Sequence, residues 1–263
     1  MGMTVEKFVM VNDQKIRYLE GGDGFTLILI HGLGASADRW LSVIPYLEKN
    51  FHLIVPDLIG FGDSDKPNVN YTMEFFVQFL QNFVDAIKVG QFDIIGSSFG
   101  GQIVAEYSVI HGNNIKKMVL VSPSGINPRL TPFMKKYSMA MFSPNKQRIK
   151  EVFQMLNGSK NNVDSALVEE FITRMQQPKA KMVATSILIN LRDRDISKKL
   201  SEIKCPSLVV WGDDDPVITL RYAKIFVSSI KNCDFALMKG CGHVPFVEKP
   251  REFSEIVSKF LKS

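Results

Sequence analysis

The strongest constraint on the fold is a recurring pair: a short apolar run, then a stretch with helical spacing. "FTLILIHG", "FHLIVPD", "FDIIGS", "KKMVLV" and "PSLVVWG" are such runs. A short run that is apolar at nearly every position suits a strand buried on both faces. Between them, "TMEFFVQFLQNFVDAIKV" is strongly amphipathic and opens on Thr72, a good N-cap, and "FGGQIVAEYSVIHG" also reads as a helix. "ADRWLSVIPYLEKN" has helical spacing at Trp40, Val43, Ile44 and Leu47, with Pro45 as a point of distortion. "KFVMV" and "QKIRYLE" flank "NDQ" and read as a β-hairpin. Alternating strand and helix predicts an α/β fold with a mostly parallel sheet covered on both sides.

After Gly125 the texture changes. From Ile126 to Leu200 no segment looks like a buried strand; the stretch is helical in spacing and rich in Met, Lys and Arg. Strand and helix patterns then resume with "PSLVVWGDDD", "LRYAKIFVSSI", "CDFALMKGCG" and "PREFSEIVSKFLKS". The chain divides into a core, residues 1–125 and 201–263, and a helical insertion, residues 126–200. Insertions beyond the carboxyl ends of parallel strands lie over the ligand crevice, so this one is expected to be a cap.

Gly96-Ser97-Ser98-Phe99-Gly100 fits G-x-S-x-G on Ser98 and not on Ser97. It follows an apolar strand and opens a helix. A sharp turn there holds a nucleophile in a strained backbone conformation, and small neighbours let helix and strand approach. The helix N-terminus favours developing negative charge. Serine needs a base at neutral pH. Of four histidines, His52 reads as structural and His111 as a helix C-terminal charge. His243, in the Gly-rich loop "KGCGHVPFVEKP", is placed to reach the carboxyl edge of the sheet. The base in turn needs a carboxylate to fix its tautomer. Asp213, Asp214 and Asp215 all stand at a strand end; Pro216 favours Asp215 by fixing the chain direction, while spacing alone does not choose. In "HGLGAS", which begins at His31, the backbone N–H of Leu33 is a candidate oxyanion donor, with that of Phe99 the second.

"HGLG", "VPDLIGFGDSDKP", "GSSFGG", "WGDDDPV" and "GCGHVPFVEKP", in that order, resemble the α/β-hydrolase superfamily over essentially the whole chain. The resemblance implies an eight-stranded, mainly parallel sheet, a helical cap after the sixth strand, and the chain order Ser, Asp, His. It independently favours Asp215, as the third residue after the glycine of "WG". It also implies that Asp57, Gly60, Gly62 and Ser64 are loop scaffolding. Relatives that dehalogenate alkyl halides or open epoxides carry aspartate at the elbow, where this chain has Ser98. The expected chemistry is therefore acyl transfer to water: ester hydrolysis on small to medium acyl chains, with monoacylglycerols among the candidate substrates, needing no metal or organic cofactor. The runner-up is carbon–carbon hydrolysis of ring-cleavage products of aromatic degradation, to which "SSFGG" and "LVSPSGI" are similar. Members of that branch tend to have Trp after the catalytic histidine, where this chain has Val244. A cofactor-free perhydrolase and a triad-bearing ligand receptor are further alternatives.

In the insertion, Met134, Met139, Phe133 and Phe142 are candidates to line an apolar substrate pocket; Met141, Phe153 and Met155 share its character. The net charge of +5 is dispersed, which argues against a nucleic-acid face. Three cysteines without a C-x-x-C argue for reduced thiols, and no apolar run reaches the roughly 20 residues that span a bilayer. The N-terminal stretch lacks the apolar core of a signal peptide. The expectation is a cytoplasmic enzyme, monomer or homodimer, acting on a small-molecule ester and water.

Overall fold

Eight strands form one sheet in the order β1-β2-β4-β3-β5-β6-β7-β8. They are β1 (Val5–Val11), β2 (Gln14–Gly21), β3 (Phe25–Ile30), β4 (Phe51–Pro56), β5 (Phe92–Ser97), β6 (Ile115–Val121), β7 (Ser207–Gly212) and β8 (Cys233–Met238). The computed structural model describes residues 4–126, 131–157, 163, 165–190 and 194–263. Among the described residues, only the pairings β1–β2 and β2–β4 are antiparallel. The pairings from β4 through β8 are parallel. The mostly parallel sheet expected from the alternation is therefore present.

The apolar runs owe their continuity to two cores. Successive side chains on a strand point to opposite faces. On β3, Ile28 and Ile30 enter one core while Leu27 and Leu29 enter the other. On β7, Val209 and Trp211 face the first core, Leu208 and Val210 the second. The first core is closed by α2 (Met73–Ala86), α3 (Phe99–His111) and α8 (Ala223–Ser229). The second is closed by α1 (Ile44–Leu47), α9 (Pro245–Glu248) and α10 (Pro250–Lys262). Thr72 caps α2 as expected, its Oγ1 accepting the Phe75 N–H at 3.2 Å.

The helix expected across "ADRWLSVIPYLEKN" is instead two short pieces, a 3-10 turn over Ala37–Trp40 and the single turn of α1. Pro45 explains the break. It lacks an N–H and disfavours helical backbone before it, so it is tolerated only in a first turn. The apolar spacing survives because both pieces still bury Trp40, Ile44 and Leu47.

Between β6 and β7 the described chain holds α4 (Pro132–Phe142), α5 (Lys146–Leu156), α6 (Ser165–Gln176) and α7 (Pro178–Asn190). They share a separate apolar cluster around Phe133, Tyr137, Ile149, Val152 and Phe171. Of the insertion expected at 126–200, residues 127–130, 158–162, 164 and 191–193 lie outside the described residues.

Because β3 to β8 run parallel, the loops after β3, β5, β6, β7 and β8 emerge at one edge of the sheet. That single fact brings distant pieces of sequence together.

Candidate active site

Ser98 joins the end of β5 to the first turn of α3 with φ +54° and ψ −115°. That backbone conformation is rare for a residue with a side chain and costs of order 1–3 kcal/mol. The surroundings hold it on both sides. Its N–H donates to Val121 O at 2.9 Å, and its carbonyl accepts from Gln102 N–H at 3.1 Å and Ser124 N–H at 3.0 Å. The turn also needs close approach. A Cβ on Gly96 would lie 2.5 Å from Gly100 O, and one on Gly100 would lie 2.5 Å from Ile30 O. As the N-cap residue of α3, Ser98 makes no side-chain capping bond, so its hydroxyl is not spent on the helix. Ser97, by contrast, ends the strand, in register with Val121.

His243 is buried in the loop between β8 and α9. Its Nδ1 meets Asp215 Oδ2 at 2.8 Å. Donation from Nδ1–H to the carboxylate leaves Nε2 without a proton and able to act as a base. Asp215 Oδ1 is engaged separately, accepting the N–H groups of Val217 at 2.8 Å and Ile218 at 2.9 Å. The three adjacent aspartates thus have three fates. Asp213 Oδ1 accepts the Gly240 N–H at 2.6 Å and so fastens the loop that carries His243. Asp214 is exposed. Asp215 alone of the three meets the imidazole. The loop also lies close against the end of β7, for a Cβ on Gly212 would stand 2.7 Å from the Cys241 carbonyl carbon.

The loop after β3 is fixed by a histidine whose two ring nitrogens both bond the backbone. His31 Nε2 accepts the Leu58 N–H at 3.0 Å, and its Nδ1 lies 2.8 Å from Gly32 O. Both nitrogens are occupied, and burial lowers its pKa, favouring the neutral ring. Leu33 follows, and its carbonyl accepts the Tyr137 hydroxyl of α4 at 2.7 Å. Phe99 is the first residue of α3, so its N–H has no partner within the helix. Asp57 is scaffolding: it accepts the Ala37 and Asp63 N–H groups at 2.7 and 2.8 Å, and Ser64 Oγ donates to its carbonyl at 2.8 Å. His52 bonds Glu20 at 2.8 Å on the sheet, away from these loops, and His111 ends α3.

A cavity of about 240 Å³ is bounded by Leu33, Ser98, Phe99 and His243 together. Asp215 stands behind His243. Of the apolar residues expected to line the pocket, Phe133 and Met134 do so, as does Phe153. The structure does not bring Met139 and Phe142 to it: they are 57% and 39% exposed on the outer side of α4. Met141 is buried within the helical cluster instead, and Met155 packs against that cluster from its edge. Half a turn of helix, about two residues, separates inward from outward positions, and a composition rich in Met and Phe does not reveal which is which.

Several contacts among the described residues tie the four-helix segment to the loops at the sheet edge, three of them near Ser98 and His243 or on the same cavity wall. Tyr137 holds Leu33, the His243 N–H donates to Leu156 O at 2.9 Å, and Arg174 Nη2 meets Asp38 Oδ2 at 3.2 Å. Tyr137 and Ser124 had no local sequence signal. Their importance comes from carbonyls far away in the chain. Among the described residues, no three His, Cys, Asp or Glu side chains are grouped to hold a metal ion, and no helix is long and apolar enough to cross a membrane.

The sequence model of the alpha/beta hydrolase fold family matches residues 26–250. The chain is 27% identical to a 2-hydroxy-6-oxo-6-(2'-aminophenyl)hexa-2,4-dienoic acid hydrolase of Metapseudomonas resinovorans, over 98% of this chain and 91% of that protein. It is 24% identical to monoacylglycerol lipase abhd6-A of Xenopus laevis, over 100% of this chain and 83% of that one. Among solved structures, a membrane phospholipase A superposes with a TM-score of 0.89 at 29% identity, covering 98% of this chain and 86% of that one. A serine hydrolase involved in carbazole degradation gives 0.89 at 26% identity, covering 99% of each.

Proposed function

Since the chain belongs to the α/β-hydrolase fold family, we propose that it is a serine hydrolase of carboxylic esters with Ser98, His243 and Asp215 as its catalytic triad. The observation that carries this is a shared wall. A hydroxyl released from capping and a histidine whose Nδ1 is bonded to a buried carboxylate face one cavity. In this reading Ser98 Oγ attacks the ester carbonyl carbon while His243 Nε2 takes its proton. The carbonyl π electrons move to oxygen, and the N–H groups of Leu33 and Phe99 hold that oxyanion. As the intermediate collapses, the bond to the alkoxy group breaks and His243 protonates the departing oxygen. Water, deprotonated by the same imidazole, then frees the acyl group. Residues 126–200 act as a cap that covers the site.

The substrate class rests on the likeness to monoacylglycerol lipases and a phospholipase A. A second reading, carbon–carbon hydrolysis, rests on the likeness to the dienoic acid hydrolase and uses the same three side chains. Here Val244, the residue after His243, lines the cavity. A cytoplasmic location, resting on cysteine usage, belongs to the same proposal.

The test is a panel: nitrophenyl esters of increasing chain length, monoacylglycerols and a dienoate ring-cleavage product, each run beside Ser98→Ala. The expected result is turnover of esters that the variant lacks. Cleavage of the dienoate alone would move the assignment to the second reading, and no turnover on any of them would remove the hydrolase reading.

Tyr137 is a positioning residue in this scheme, because it holds the carbonyl of the peptide unit next to the Leu33 N–H. Tyr137→Phe removes one buried hydrogen bond, worth about 1 kcal/mol. The expected outcome in steady-state kinetics is a kcat lower by about fivefold with KM within about twofold. A change in KM alone, or in melting temperature alone, would assign the hydroxyl to packing.

A further inference from the structure

Arg39 is a cavity-lining charge that the mechanism leaves unused. It sits on the 3-10 turn Ala37–Trp40 and shares the cavity wall with Ser98 and His243. The other charged groups on that wall are matched. Arg174 Nη2 meets Asp38 Oδ2 at 3.2 Å and Glu170 Oε1 at 2.5 Å, and Asp38 also receives Arg17 Nη2 at 2.9 Å. Arg194 binds Glu106 and meets Glu74 Oε1 at 2.5 Å. For Arg39, no ion pair and no side-chain hydrogen bond is present among the described residues. Its contact is the face of the Phe153 ring, 5.8 Å from the guanidinium carbon to the ring centroid. The carboxylates of Glu170 and Glu248 act on it only through space. Glu170 is engaged with Arg174, and Glu248 Oε1 accepts the Gly242 N–H at 2.8 Å.

A guanidinium carries five N–H donors, stays protonated, and is costly to bring out of water without acceptors. Burial lowers the pKa of Arg39, in keeping with that cost, while leaving an arginine charged at neutral pH. The Phe153 ring offsets part of this cost, and the half-buried guanidinium has no acceptor oxygen among the described residues. The group is therefore available to a ligand, and its planar fork matches carboxylate or phosphate oxygens two at a time.

We propose that Arg39 is the anion-binding end of the substrate pocket, and that the preferred substrate is an ester bearing a carboxylate or phosphate group besides the bond that is cleaved. This deepens the hydrolase reading and rests on it for the cleavage step. The apolar side of the same cavity, with Phe133, Met134 and Phe153, receives the hydrocarbon part of such a molecule. The Phe153 ring adds a cation–π contact that holds the guanidinium in place before the anion arrives.

Two matched pairs of esters test this. One pair is 4-nitrophenyl valerate against mono-4-nitrophenyl glutarate, which adds a carboxylate. The other is a monoacylglycerol against its 3-phosphate, which adds a phosphate; the pair with the larger preference identifies the anion. In wild type, kcat/KM for the anionic member is expected to exceed that of the neutral one, and Arg39→Met is expected to lower this ratio by roughly ten- to a hundredfold. Arg39→Lys keeps the charge but not the fork and is expected to fall between. Removing an unpaired charge does not unfasten the fold, so Arg39→Met is expected to melt no lower than wild type. A ratio near unity in both pairs, or one unaffected by Arg39→Met, overturns the proposal. Calorimetry separates it from the hydrolase reading. With Ser98→Ala protein, mono-4-nitrophenyl glutarate or the 3-phosphate is expected to bind, and more weakly by tenfold or more when Arg39→Met is added. No binding, or binding that ignores Arg39, overturns the anion site even if esters are cleaved. Arg39-dependent binding with no cleavage of any ester by wild type keeps the anion site and removes the ester-hydrolase reading.

Discussion

Ser98→Ala is expected to lower kcat on a good ester substrate by a factor on the order of a million, the scale set by loss of a serine nucleophile in subtilisin. Ser97→Ala is expected to keep most of the activity. The two serines are neighbours, so the contrast isolates geometry from composition. Ser98 has the strained backbone, a main chain held by Val121, Gln102 and Ser124, and a hydroxyl that does not cap the helix. Ser97 is a strand residue paired in register with Val121. Only Ser98 stands at the N-terminus of α3, beside the Phe99 N–H. The measurement is single-turnover and steady-state hydrolysis of a nitrophenyl ester, with labelling by a serine-reactive phosphonate as an independent readout. Wild type and Ser97→Ala are expected to label, Ser98→Ala not. Residual activity in Ser98→Ala within tenfold of wild type would mean that the attack comes from another group.

The parts of this arrangement that were legible in the sequence are those set by local pattern. The runs at "FTLILI" and "FDIIGS" are strands because each serves two cores at once, and a doubly buried strand must be apolar at successive positions. The elbow was legible because Gly96 and Gly100 answer a close approach that no larger residue permits. The break in "ADRWLSVIPYLEKN" was less so: periodicity spoke for one helix, and a single proline outweighed it. What the sequence hid depends on contacts between distant segments. Tyr137 matters for a carbonyl at Leu33, and Ser124 for a carbonyl at Ser98. The inward and outward faces of α4 decided that Met134 reaches the cavity and Met139 does not. Arg39 drew no notice because an arginine is conspicuous only once its partners are known to be missing.

Asp215→Asn is expected to lower kcat by a factor on the order of ten thousand, the size of the same change in the serine-protease triad. Asp214→Asn is expected to change it by less than about twofold, since Asp214 is exposed and screened by solvent. Asp213→Asn is expected to fall between, at roughly threefold to thirtyfold. Asp213 touches no imidazole but holds the Gly240 N–H and so the path of the loop. The steep loss at Asp215 has a tautomeric cause. With a carboxylate at 2.8 Å, His243 keeps its proton on Nδ1 and presents a lone pair at Nε2. An amide in that place accepts through oxygen or donates through nitrogen. In the second orientation it drives the proton to Nε2, where it blocks abstraction from Ser98. The Oδ1 side selects between the two. It faces the N–H groups of Val217 and Ile218, which require an acceptor there. The asparagine oxygen is drawn to that side, and its NH₂ is left facing His243. The kcat ratio among the three variants therefore reads the assignment directly. If Asp214→Asn or Asp213→Asn proved the most damaging, the carboxylate that orients His243 in catalysis would not be the one that meets it at rest.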